Sequence, residues 1–228
     1  MLKFKHLLTA TAAAIALVAN VAQAAPVAAF SEGFESGYPS DWAGVNLSSP
    51  TGSTDWDPGD ADVFAAQAGT AGSYLAVNYN TATPGGVIDN WLATPELLLG
   101  SAGGTLSFWT RTEAGSNFAD RLRVLFNATG SDAVSDFTEV VADINANEMA
   151  GGYPDGWTKF TVNLGPGSGV GRVAFVYTQA NSDNANYIGL DSVEYNSVNN
   201  PVPEPESFAL VALALGGLMF TRRKAKAA

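Results

Sequence analysis

Along the second half of the chain, apolar and polar residues alternate in short runs separated by glycine-rich breaks. In "TLSFWTRT" (105–112), Leu106 and Phe108 fall on one face, with Ser107, Trp109 and Arg111 on the other. "RLRVLFNA" (121–128) sets Leu122, Val124 and Phe126 against Arg121, Arg123 and Leu125. "WTKFTVNL" (157–164) sets Phe160, Val162 and Leu164 against Trp157, Lys159, Thr161 and Asn163. "RVAFVYTQ" (172–179) repeats the pattern with Val173, Phe175 and Tyr177, and "NYIGLDSVEY" (186–195) closes the series. A period of two is that of half-buried strands. Residues 28–35, "SYLAVNY" (73–79) and "DNWLATP" (89–95) are earlier strand candidates. The only passable helix stretch is "FTEVVADINANEMA" (137–150), where Val140 and Val141 fit a strand equally well. The pattern predicts an all-β domain of roughly eight to ten short antiparallel strands, a β-sandwich and most simply a jelly roll. "GYPSDW" (37–42) and "GYPDGW" (152–157) read as one local solution used twice, a turn delivering a Trp into the next strand.

Both ends read as processing segments. Lys3 and Lys5 precede an apolar run from Leu7 to Val21, and Ala22-Gln23-Ala24 offers a small-x-small cleavage site. Residues 1–24 are therefore a secretory signal helix cut by signal peptidase between Ala24 and Ala25. The run is shorter than the roughly 20 residues of a membrane anchor. Residues 25–198 then form one domain of ordinary size. Residues 199–207 read as a linker, 208–221 as a short hydrophobic transmembrane segment, and 222–228 as a basic cytoplasmic tail.

Charge and missing residue types narrow the function. Only Arg111, Arg121, Arg123, Lys159 and Arg172 face all 22 acids across residues 25–206, a net charge of −17. Such a surface repels phosphate backbones, which excludes nucleic acid as a partner. There is no cysteine, so thiol catalysis, disulfides and Cys-zinc sites are absent. The one histidine, His6, leaves with the signal, and no imidazole remains for a Ser-His-Asp triad. Of hydrolytic mechanisms, a carboxylate pair survives this test.

Two acidic constellations are candidate cation sites. "DWDPGDAD" (55–62) carries Asp55, Asp57, Asp60 and Asp62 in a Gly-Pro loop. Alternate carboxylates can converge on calcium, although this spacing departs from the EF-hand loop, and a solvated acidic loop fits equally. Glu32 and Glu35 lie at the first strand and Asp191 on the last; in a jelly roll these strands can adjoin. Trp42, Trp56, Trp91, Trp109 and Trp157 are either core residues or flat platforms for sugar rings.

Two family resemblances follow from particular residues. The tail, with Val202-Pro203-Glu204-Pro205, then Phe208–Phe220, then Arg222-Arg223-Lys224, resembles a PEP-CTERM sorting signal of exosortase substrates. That resemblance implies an inner-membrane intermediate in a Gram-negative bacterium, cleavage by an exosortase near the Pro-Glu-Pro, and delivery to the cell surface or an exopolysaccharide matrix. As a helix the hydrophobic stretch reaches about 20 Å against a hydrocarbon core of about 30 Å, a marginal anchor. The basic residues hold it with the acidic domain outside.

The domain, through "FSEGFESGYPSDW", "DNWLATPELLL" with "GGTLSFWTR", "GWTKFTVNL", and "RVAFVYT" leading to "NYIGLDSVEY", resembles choice-of-anchor J domains, relatives of cleaved-adhesin and MAM-like jelly rolls. The resemblance implies a structural calcium between first and last strands, held by Glu35 and Asp191 with Glu32 beside them. It carries over no catalytic residue. The expected function is a non-enzymatic, exported surface or matrix protein, adhesin-like or bound to extracellular polysaccharide in a biofilm. A carbohydrate-active hydrolase using two carboxylates is the alternative.

Overall fold

The computed structural model describes residues 25–166 and 169–199. The signal helix with Ala24, the Pro203-Glu204-Pro205 motif, the hydrophobic segment 208–221 and Arg222, Arg223 and Lys224 all lie outside the described residues. Among the described residues no helix is long and apolar enough to cross a membrane.

Among the described residues thirteen strands appear in chain order: β1 (Ala29–Glu32), β2 (Ala43–Asn46), β3 (Ser49–Thr51), β4 (Asp57–Pro58), β5 (Leu75–Asn78), β6 (Ala82–Ala93), β7 (Leu97–Leu98), β8 (Gly104–Thr112), β9 (Leu122–Asn127), β10 (Glu139–Ile144), β11 (Thr158–Leu164), β12 (Val170–Gln179) and β13 (Tyr187–Ser197). Eight to ten strands are too few. The surplus is β3, β4 and β7, pieces of two or three residues whose sequences, SPT, DP and LL, carry no alternation to read. The stretch 137–150 contains strand β10 rather than a helix, because Glu139–Ile144 pairs along β9 and tertiary pairing overrides local propensity.

The strands form two antiparallel sheets, a β-sandwich. A six-stranded sheet runs β11-β8-β13-β5-β4, with β1 also on β13; a seven-stranded sheet runs β10-β9-β12-β6-β2, with β3 on β6 and β7 on β12. First and last strands do adjoin: Phe30 opposes Tyr195 and Glu32 opposes Val193. Both sheets turn their predicted apolar faces inward. Leu106, Phe108, Val162, Leu164, Leu190 and Tyr195 meet Leu122, Val124, Phe126, Val173, Phe175 and Tyr177 in one core. Rings organise its centre: Trp42 stacks on Phe175 at 6.2 Å, and Phe108 meets Phe175 edge-on at 5.1 Å.

The two GYP hexapeptides are not equivalent. The first buries Trp42 in the core and leaves Tyr38 exposed. The second buries Tyr153 there and turns Trp157 to the outer face of the six-stranded sheet. Each register presents the apolar face where its own sheet needs it.

Candidate functional site

Two strands share one edge of β13. β5 pairs with Tyr187–Leu190 and β1 with Val193–Asn196, which leaves Asp191 and Ser192 facing a gap. A bulge falls there, and Ser192 takes a left-handed backbone (φ 47°). Across the gap Phe34, just past β1, is also left-handed (φ 57°). Residues other than glycine hold this conformation at a steric cost that the surroundings must offset.

The loop between β4 and β5 fills the gap. Asp191 Oδ2 accepts the backbone N–H of Gln67 at 2.7 Å and of Ala68 at 3.2 Å. Its Oδ1 accepts the N–H of Ser192, whose hydroxyl donates to Gln67 Oε1 at 2.9 Å. Asp191 is fully buried. Burial pushes its carboxyl above the usual carboxylate range, against the opposing pull of the amides.

Glu35 reaches the same loop from the other side. A Cβ on Gly69 would stand 3.1 Å from Glu35 Oε1, so the absence of a side chain at Gly69 makes room for the carboxylate. Glu35 and Asp191 thus flank the segment Gln67-Ala68-Gly69. Glu32 turns back instead, accepting the N–H of Phe34 at 2.7 Å. Asp55, Asp57, Asp60 and Asp62 are all exposed. Asp57 accepts the N–H of Asp55 at 3.3 Å and Asp60 that of Asp62 at 2.9 Å, short-range bonds that shape the loop. Among the described residues no three acidic side chains converge in a metal-holding group.

The loop also straps an aromatic cluster to the outer face of the six-stranded sheet. Phe64 stacks on Tyr74 at 5.0 Å and meets Trp157 edge-on at 5.6 Å, and Trp157 Nε1 donates to Ala65 O at 2.9 Å. Arg111 lies over the Phe64 ring at 4.4 Å. Gly189 beneath is required: a Cβ there would come within 2.9 Å of both Phe64 and Trp157. Trp42, Trp56 and Trp91 are buried, so three of the five tryptophans serve packing.

The alternation pattern gave no sign of Asp120. It is fully buried at the opposite edge, accepting Tyr177 Oη at 2.6 Å, Asn186 N at 2.7 Å and Thr112 Oγ1 at 3.0 Å. Burial, its largest influence, raises its carboxyl above the ordinary value. Thr112 Oγ1 also donates to Tyr187 O at 2.8 Å. Its one hydroxyl proton is therefore divided between Asp120 Oδ2 and the Tyr187 carbonyl. The single sequence signal for Asp120 was an acid directly before a strand, between Ala119 and Arg121.

No family model matches the chain, and no curated protein matches it. Solved structures do. A cleaved adhesin domain of Lys-gingipain from Porphyromonas gingivalis superposes with a TM-score of 0.56 at 25% identity, over 75% of this chain and 98% of that domain. Two further cleaved adhesin domains of Lys-gingipain superpose at TM-scores of 0.53 and 0.52, with 24% and 22% identity, over 74% and 75% of this chain and 98% and 99% of theirs. The chain has the fold of these adhesin domains.

Proposed function

We propose that the chain is a non-catalytic adhesin-type module, exported and displayed at the cell surface or in the extracellular matrix, where it attaches to polysaccharide. The observation that carries this reading is the match to an adhesin domain along almost that domain's whole length. The lack of histidine and cysteine after residue 24 agrees with it. So does the state of the two buried acids, Asp120 and Asp191, whose oxygens are engaged by structural hydrogen bonds rather than aimed at a cleft. The tail is read as a PEP-CTERM signal that an exosortase removes after a membrane-anchored intermediate.

Residues 25–199, which hold every described strand together with its pairing partners, are the fragment to test on the host exopolysaccharide. The expected outcome is retention without new reducing ends. New reducing ends would establish the carboxylate hydrolase instead, and no retention on any glycan would leave a purely structural matrix protein. Exosortase processing is tested by the intact mass of the protein from its native host. The expected C-terminus lies near Pro203–Glu206; a mass running to Ala228 would overturn the sorting reading.

We also propose a structural calcium beside Glu35 and Asp191. The paired left-handed residues and the carboxylates flanking Gln67–Gly69 support it. EDTA is expected to lower the melting temperature of residues 25–199 by several degrees. Glu35→Gln, at an exposed position, should remove the difference while leaving the metal-free melting point in place. Identical curves with and without chelator would remove the ion.

A further inference from the structure

At one end of the sandwich, the β8–β9, β10–β11 and β12–β13 loops meet around a depression of about 190 Å³, lined by Asn117, Phe118, Ala119, Ala150, Asp183 and Asn184. Phe118 is 41% exposed at this end. Asp183 spends Oδ1 on the N–H of Gly85 at 3.0 Å, and no hydrogen bond from the described residues reaches its Oδ2. The side-chain amides of Asn117 and Asn184 make no hydrogen bond to the described residues, so both keep a donor and an acceptor for a guest.

The depression is held in place by bonds that cross between loops. Ala119 N donates to Asn184 O at 2.7 Å, and Gly151 N donates to Phe118 O at 2.8 Å. Underneath, Asp120 accepts from Asn186 N and Tyr177 Oη, while its carbonyl accepts Asn145 Nδ2 at 2.8 Å. Arg121 pairs with Asp143 at 2.7 Å and Glu148 at 3.0 Å, fixing the start of the β10–β11 loop. A rigid rim with unspent polar groups is preorganised for a ligand, because little ordering remains to be done on binding.

We propose that this depression binds a neutral pyranose unit of a glycan chain. An exposed aromatic face takes the apolar C–H face of a sugar ring. One free carboxylate oxygen accepts from ring hydroxyls, and two amides both donate and accept, which suits hydroxyls that do the same. The charge points to a neutral sugar: no cation lines the depression, and a chain carrying −17 over residues 25–206 repels uronates and sulfated glycans. This inference rests on the glycan-attachment reading and assigns it a place and a ligand class.

The test titrates residues 25–199 with neutral gluco-, galacto- and manno-oligosaccharides and with oligouronates of matched length, for the parent fragment, Phe118→Ala and Asp183→Asn. Phe118 is exposed, and the asparagine keeps the acceptor for Gly85, so both variants should melt within a degree or two of the parent. At least one neutral series is expected to bind, to shift the backbone amide signals of residues 117–119 and 183–185, and to lose tenfold or more in affinity in each variant. Neutral binding unchanged in both variants, or binding of uronates alone, would overturn this site and leave glycan attachment standing. Binding of no oligosaccharide by the parent, with retention on the host polymer, would also overturn the site; absence of both would remove glycan attachment as well.

Discussion

Asp120→Ala is expected to destabilise the domain by about 3 kcal/mol, because it strands the buried donors of Tyr177 and Asn186 and the hydroxyl of Thr112. Each unsatisfied buried group costs about 1–3 kcal/mol, and the variant is relieved of a desolvated carboxyl, which offsets part of the sum. Asp120→Asn should behave differently. Its oxygen still accepts from Tyr177 and Asn186, and its amide can donate to Thr112 Oγ1, whose own proton then serves the Tyr187 carbonyl. Urea denaturation of the two variants separates loss of the network from loss of the ionisable carboxyl.

The same residue sets a pH dependence. Burial raises the folded-state pKa of Asp120 above the unfolded carboxylate value of about 3.9. The folded state therefore keeps its proton to higher pH than the unfolded chain does. The stability this contributes is complete below the unfolded value and is lost as pH rises through the raised folded one. Asp191, raised by the same cause, acts in the same direction. The urea midpoint of the parent fragment should fall as pH rises above the unfolded carboxylate value, and Asp120→Asn should flatten part of that fall. An unchanged slope in the asparagine variant would show that Asp120 is ionised when folded.

Asp191→Ala is the second large effect, again about 3 kcal/mol. It leaves the amides of Gln67, Ala68 and Ser192 without their acceptor in the gap between β1 and β5. The consequence is local first. Once released, the strap no longer holds Phe64 and Ala65 against Trp157, so Trp157 emission should shift to the red. Limited proteolysis should cut within residues 61–70 before the sandwich melts. A variant with the parent's melting point and cleavage pattern would show that the aromatic cluster alone secures the loop.

The two-sheet, all-β architecture was legible in the alternation of side chains. Alternation at Leu106 and Phe108, at Leu122, Val124 and Phe126, and at Val173, Phe175 and Tyr177 assigns each side chain to a face, and burying those faces requires two sheets. The net acidity and the missing cysteine and post-signal histidine were legible in the same direct way, since composition excludes chemistries without reference to geometry.

Tertiary structure alone decided the rest. The three shortest strands exist only because longer partners offer free edges, and β10 is a strand because β9 lies beside it. The Asp120 network joins residues 112, 120, 177 and 186, and Asp191 meets Gln67 from 124 positions away. Local pattern records which face a residue occupies. Which distant backbone amide stands over that face depends on loop closure and strand order, and these are fixed only when the two sheets pack.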